Sequence, residues 1–192
     1  MHYYFLMKKT LELVKIKQSL KNGNLCILPT DTILGIFADA TNHIATHKIF
    51  STKKRSDTKP LAIFLPSIKE INKYGIETDN SKEFVQTKLP GAFTVILRAT
   101  DFAKHTLSPL LISSKGEVGI RIPMHNDILN IVKDIIVCGT SVNISGESFA
   151  TNTIPKEIAQ NIEYLFDGNS QIPSQSPSTI VDFTTLKPTI VR

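Results

Sequence analysis

What constrains this chain most is a series of short apolar runs of four to six residues, too short to cross a membrane, with polar turns recurring at their ends and no internal repeat. Leu25–Leu28 stops at Pro29-Thr30-Asp31-Thr32. Residues 61–65, 93–97, 118–122, 135–138 and 178–183 are runs of the same kind, and 189–192 closes the chain. Runs of that length bounded by turn formers read as buried strands. Helical patterns fall between them at 10–21, 42–50, 68–74, 81–88, 126–133 and 153–162. Thr10 reads as the N-cap of the first helix and Asn22-Gly23 as its stop, while Thr153 and Pro155 start the last. Residues 102–116 show little periodicity, and Ser113-Ser114-Lys115-Gly116 reads as a mobile loop. The runs at 93–97 and 118–122 have no helix pattern between them, so the sheet must mix antiparallel with parallel neighbours. The expectation is one α/β domain over residues 1–192, a twisted mixed parallel/antiparallel sheet with flanking helices and ligand groups at strand ends.

Composition adds limits. A chain of 192 residues, 41% apolar and 20% charged, suits one globular domain with an ordinary core. Lys8 and Lys9 interrupt the apolar opening before it reaches the length of a signal sequence, so a cytoplasmic protein with no membrane contact is expected. Cys26 and Cys138 each sit in an apolar run without zinc-site spacing, which favours buried reduced thiols over a disulfide or a metal site. His2, His43, His47, His105 and His125 are scattered without metal-ligand spacing, and His125 reads as a loop residue after Pro123. There is no GxxxxGK[ST] loop and no G-x-S-x-G elbow, so neither a P-loop nor a triad hydrolase is supported, and no metal ligands are assigned.

Residues 53–59 hold four cations, Lys53, Lys54, Arg55 and Lys59, between two apolar runs. Such a stretch is either a solvated charge run or a loop that holds a polyanion such as a triphosphate or an RNA backbone. Pro60 pushes Lys59 toward an extended conformation and so favours the shaped loop. The net charge of +5 agrees with an anionic partner without demanding one. Arg121 lies in an apolar strand, where it either faces the surface or needs a partner. The remaining polar groups at strand ends are Thr30, Thr32, Ser141, Asn143, Ser145 and Ser178, with Arg192 at the terminus. That set suits anion binding and substrate orientation, with no need for a protein nucleophile.

Six segments then carry a resemblance. They are Leu28-Pro29-Thr30-Asp31-Thr32-Ile33-Leu34-Gly35; Lys53-Lys54-Arg55 with Lys59-Pro60-Leu61; Pro90-Gly91-Ala92-Phe93-Thr94; Gly119-Ile120-Arg121-Ile122-Pro123; Ser141-Val142-Asn143-Ile144-Ser145-Gly146; and Ser178-Thr179-Ile180-Val181-Asp182 with Ile190-Val191-Arg192. In order and spacing the chain resembles the YrdC-type threonylcarbamoyl-AMP synthases from residue 25 to residue 192. The resemblance implies a YrdC-like α/β domain around a deep basic cavity. It also implies an enzyme that joins L-threonine, bicarbonate or carbon dioxide, and ATP into threonylcarbamoyl-AMP and pyrophosphate. A separate threonylcarbamoyl-transferase complex then modifies an adenosine of tRNA. Carried over residue by residue, Thr32, Arg121, Ser141 and Ser178 would hold L-threonine, with Arg121 meeting its carboxylate. Arg55, Lys59, Asn143 and Arg192 would bind ATP, with Lys53 and Arg55 supporting the reacting phosphates and Mg2+ arriving with the nucleotide.

The chain departs from the family pattern in places. Ser56 stands where many relatives have proline, and Phe64 where some have histidine near the threonine. Glu117 lies where ATP passes in relatives, which favours a backbone contact or a magnesium-linked role there. The extra C-terminal domain of longer members is expected to be absent, leaving residues 113–116 or the C-terminal end to close the site. The rival reading is a module that binds tRNA or double-stranded RNA without catalysis. A carbamoyl transferase of the hydrogenase-maturation type, which shares a related domain, is disfavoured, since its accompanying segments are expected to be absent.

Overall fold

Leu25–Leu28 is buried at all four positions, so both of its faces are covered, and the rest of the architecture follows from what covers them. The computed structural model describes residues 7–54, 61–144, 154–168 and 176–192. In chain order the first half runs β1 (Lys8–Thr10), α1 (Leu13–Lys21), β2 (Leu25–Leu28), β3 (Gly35–Asp39), α2 (His43–Lys53) and β4 (Ala62–Phe64). Next come α3 (Ile71–Tyr74), β5 (Gly75–Ile76), α4 (Asp79–Lys88), β6 (Phe93–Ala99), α5 (Asp101–Thr106) and β7 (Glu117–Arg121). The chain closes with α6 (Asn126–Val132), β8 (Val137–Ser141), α7 (Lys156–Ala159), β9 (Ile162–Phe166), β10 (Thr179–Asp182) and β11 (Thr189–Ile190).

All eleven strands among the described residues join one sheet, in the order β1-β9-β2-β3-β8-β4-β7-β6-β10-β11, with β5 on the flank of β6. The sheet is mixed, as expected: β2, β3, β8 and β4 are antiparallel in turn, whereas β4 and β7, β6 and β10, and β9 with both β1 and β2 are parallel. The strands without a helix pattern between them, β6 and β7, pair antiparallel. Alternation along β2 sorts the core: Leu25 and Ile27 face α2, and Cys26 and Leu28 face α1 and α6. No helix among the described residues is long and apolar enough to cross a membrane.

Five local expectations are corrected. Thr10 does not cap α1; it ends β1, pairs with Phe166 and accepts the Glu12 N–H on its hydroxyl. The helix expected to run to Ile162 stops at Ala159, because Ile162–Phe166 fills the slot between β1 and β2 as a parallel strand. β3 has no counterpart among the expected strands. Gly35 weakens its pattern, yet a Cβ there would lie 2.6 Å from the Phe37 ring, so the glycine is what lets that ring lie flat. Residues 101–106 form a helix capped by Thr100. The supposedly mobile loop at 113–116 is a turn tied by Ser113 N–H to the Glu117 carbonyl and by Gly116 N–H to the Ser113 carbonyl. Gly116 takes φ +74 there, which a glycine adopts without strain.

Candidate active site

A cavity of about 190 Å³ opens over one face of the sheet, where Gly35, Gly119 and Gly139 put no side chains into the space. A Cβ on Gly139 would sit 2.7 Å from the Phe37 ring and 3.0 Å from Phe64, so the floor is close-packed up to the backbone. Phe37 and Phe64 meet edge to face at 5.0 Å and form the apolar base. The strand-interior glycines were the signal for a ligand approaching backbone, and the strand-end reading passed over them.

One wall comes from the segment after β2. Thr30 Oγ1 donates to the Ile33 carbonyl and accepts the N–H groups of Thr32 and Ile33, which folds this segment into a compact turn. Its hydroxyl also shares a hydrogen bond with Thr32 Oγ1 at 2.9 Å. Arg121, at the end of β7, donates from Nη2 to Thr32 Oγ1 at 2.9 Å and to Asp31 Oδ1 at 2.7 Å. Arg121 therefore has a carboxylate partner within the protein, Asp31, which the strand-end reading treated only as a turn former. Burial pushes the Arg121 pKa down, the Asp31 carboxylate pulls it back up, and Arg192 nearby lowers it further. The Phe64 ring lies under the guanidinium, 5.6 Å from its carbon.

The opposite wall is built from β6, β10 and the C-terminal residues. Ser178 Oγ and Thr94 Oγ1 share a hydrogen bond at 3.0 Å, both buried. Arg192 Nε and Nη2 donate to the Ser178 carbonyl, and burial lowers the Arg192 pKa. Glu117 also lines the cavity, with one carboxylate oxygen accepting from Ser113 Oγ and the other from Thr184 Oγ1. At the end of β8, Ser141 Oγ donates to Asn143 Oδ1 at 2.6 Å. Lys53, the last residue of α2 and 1% exposed, donates to the Ser141 carbonyl and to Asn143 Oδ1.

Thr32, Arg121, Ser141, Ser178 and Arg192 thus line one cavity. Asn143 and Lys53 adjoin it through Ser141. Arg55 and Lys59 lie outside the described residues. Among the described residues no group of three or more His, Cys, Asp or Glu side chains could hold a metal ion. His125 is buried against loop and helix with Nδ1 unpartnered, and both cysteines are free and buried.

Comparisons with known proteins show what the chain and its fold are similar to. A family model covering the Sua5, YciO and YrdC proteins, described as telomere recombination, matches residues 18–192. A Methanocaldococcus jannaschii protein named putative threonylcarbamoyl-AMP synthase is 35% identical over 176 residues, which is 91% of this chain and 80% of that one. The threonylcarbamoyl-AMP synthases of Mus musculus and Pyrococcus abyssi are 27% and 25% identical over 86% and 90% of this chain, which spans 60% and 51% of their lengths. The structure of P. abyssi Sua5 complexed with L-threonine has the same fold, with a TM-score of 0.80 at 24% identity over 97% of this chain and 56% of that one. E. coli YciO gives 0.78 at 20% identity, over 94% and 87%. With a family model matched over nearly its whole length and a relative more than 30% identical, this chain belongs to the Sua5/YciO/YrdC family.

Proposed function

We propose that this chain is an enzyme of the nucleotidyltransferase class that makes threonylcarbamoyl-AMP and pyrophosphate from L-threonine, bicarbonate or carbon dioxide, and ATP. The observation that carries the reading is the convergence of Thr32, Arg121, Ser141, Ser178 and Arg192 on one cavity. The relatives named threonylcarbamoyl-AMP synthases support it. A pure RNA-binding module has no need of a buried arginine and a hydroxyl-lined hollow.

In this reading the Arg121 guanidinium meets the threonine carboxylate, and the hydroxyls of Thr32, Ser141 and Ser178 orient the rest of the amino acid. The amine adds to carbon dioxide and loses a proton to become a carbamate. A carbamate oxygen then bonds to the α-phosphorus of ATP as the bond to the bridging oxygen breaks and pyrophosphate leaves. Arg192, Arg55 and Lys59 would offset the charge on the phosphates, and Asn143 would donate its amide N–H to an acceptor on the nucleotide. Lys53 would contribute by fixing the Ser141 to Asn143 turn and, with Arg55, by adding positive field. Mg2+ would enter on the triphosphate, since the described residues offer no cage of their own, and would supply charge neutralisation there. The product would pass in the cytoplasm to a transferase complex that modifies tRNA.

The test is pyrophosphate release from ATP in the presence of bicarbonate and L-threonine, with L-serine and D-threonine as comparators. Release that depends on L-threonine is the expected result. Tight RNA binding that weakens steeply with salt, without threonine-dependent release, would move the assignment to the RNA-binding alternative.

A further inference from the structure

The Arg121–Asp31 pair differs in kind from every other ion pair among the described residues. Both of its side chains are 7% exposed, whereas each of the other pairs has both members at least a quarter exposed. A buried pair of this sort is weak as a source of stability, because desolvating two charges cancels much of their attraction. Its geometry is also lopsided. A side-on fork would engage Nε and Nη2 with both carboxylate oxygens, but only Nη2 and Oδ1 meet, and Arg121 Nε and Asp31 Oδ2 are both buried without a partner. Nη2 is fully used, since it also donates to Thr32. The Phe64 ring lies against the guanidinium. Nη1 has no hydrogen bond among the described residues and is not one of the sealed-off polar atoms.

We infer that Asp31 is a positioning residue of the amino-acid pocket: it anchors Arg121 through Nη2 and leaves Nη1 to donate to a ligand carboxylate. The inference rests on the proposed reading of the cavity as an amino-acid site. An arginine side chain otherwise brings rotamer freedom that binding would have to quench, and the anchor removes that cost beforehand. Thr32 shares the same nitrogen, so the anchor also ties the orientation of the threonine-facing hydroxyl to that of the guanidinium. Asp31 and the ligand carboxylate then occupy different nitrogens of one cation and do not compete for the same one.

The experiment compares wild type, Asp31→Asn and Asp31→Glu by three readouts: side-chain 15N NMR of arginine, separate KM values for L-threonine and ATP, and melting temperature. Wild type should show distinct, slowly exchanging Nη signals for Arg121, and Asp31→Asn should lose them. The threonine KM should rise about tenfold in Asp31→Asn, the worth of one charge-assisted contact, with the ATP KM within about twofold. Asp31→Glu, which keeps the charge but displaces it by one methylene, should recover part of the loss. Should Asp31→Asn not fold, Asp31→Glu still reads the same split. A threonine KM that stays constant or falls overturns the inference, as does a parallel rise of both KM values with a lowered melting temperature. If wild type releases no pyrophosphate with threonine, the proposed function fails on its own. The NMR comparison still decides whether Asp31 holds Arg121, and unchanged signals in Asp31→Asn would overturn that.

Discussion

Arg121 and Lys53 are both buried cations beside the same cavity, yet the first meets a carboxylate and the second, in its described contacts, the oxygens of neutral groups. The difference lies in what each cation organises. Arg121 is itself held, by Asp31 and Thr32, and its Nη1 makes no hydrogen bond among the described residues. Lys53 holds its neighbours: with Ser141 Oγ it places two donors on Asn143 Oδ1, which turns the amide so that Nδ2 is the group that donates. One end of the site therefore offers a pre-aimed guanidinium, and the other offers a pre-aimed neutral amide with its ammonium set behind it. A carboxylate suits the first and a nucleotide acceptor the second.

The comparison breaks most readily at Arg121. Arg121→Ala should abolish threonine binding by calorimetry and cost about 3–5 kcal/mol in urea unfolding, because Asp31 would remain buried without its partner. Adding Asp31→Ala should return much of that stability but none of the binding. If the single variant is as stable as wild type, the pair is not buried in solution and Arg121 resembles an exposed cation.

Lys53→Ala should come next, at about 1–3 kcal/mol for an acceptor left unmet in the interior, with ATP affinity falling more than threonine affinity. A variant that keeps its stability and loses only kcat would mean that Lys53 touches the phosphates, and the contrast between the two cations would vanish.

How much of this was legible beforehand differs between the two cations as well. Arg121 and Thr32 stood out because a charged or hydroxyl residue next to a short apolar run needs an explanation. Their mutual contact did not, since it joins positions 89 apart and depends on β7 and the β2–β3 turn meeting across a mixed sheet. Asp31 was hidden in plain view, because an aspartate in Thr-Asp-Thr reads as a turn former until a cation is placed against it. Lys53 looked like the head of a basic loop, but the helix expected over residues 42–50 extends to it and turns its side chain inward. β9 and β3 were lost for a related reason. Their strand character comes from the partners they slot between, and local pattern carries little of that.

Gly139 lies on the floor between the two ends and tests whether they share a rigid base. Gly139→Ala would press a methyl against the Phe37 and Phe64 rings at 2.7–3.0 Å, with an expected cost of about 1–2 kcal/mol in thermal or urea unfolding. Both KM values should rise together, since Phe64 underlies Arg121 and β8 leads to Ser141. A rise in only one would show that the two ends move independently.

The smallest expected effect sharpens the Arg121 side. His125 is buried, its Nδ1 lacks a partner, and burial lowers its pKa against the opposing pull of Asp127 and Asp31. In the unfolded chain the imidazole takes its proton near the ordinary value of about 6.5, but in the folded chain only at lower pH. Between those two values the unfolded state binds more protons, so stability rises with pH there. His125 therefore costs nothing above the ordinary value, and its penalty grows as pH falls from that value to the folded pKa and is constant below it. Urea unfolding of wild type and His125→Asn at intervals from pH 8 to pH 5 should give parallel stabilities at the alkaline end. Wild type should lose ground to the variant as the pH drops. Curves that stay parallel throughout would mean that His125 is solvated when folded. Asp31 would then have only Arg121, and no buried imidazole, within reach of its carboxylate.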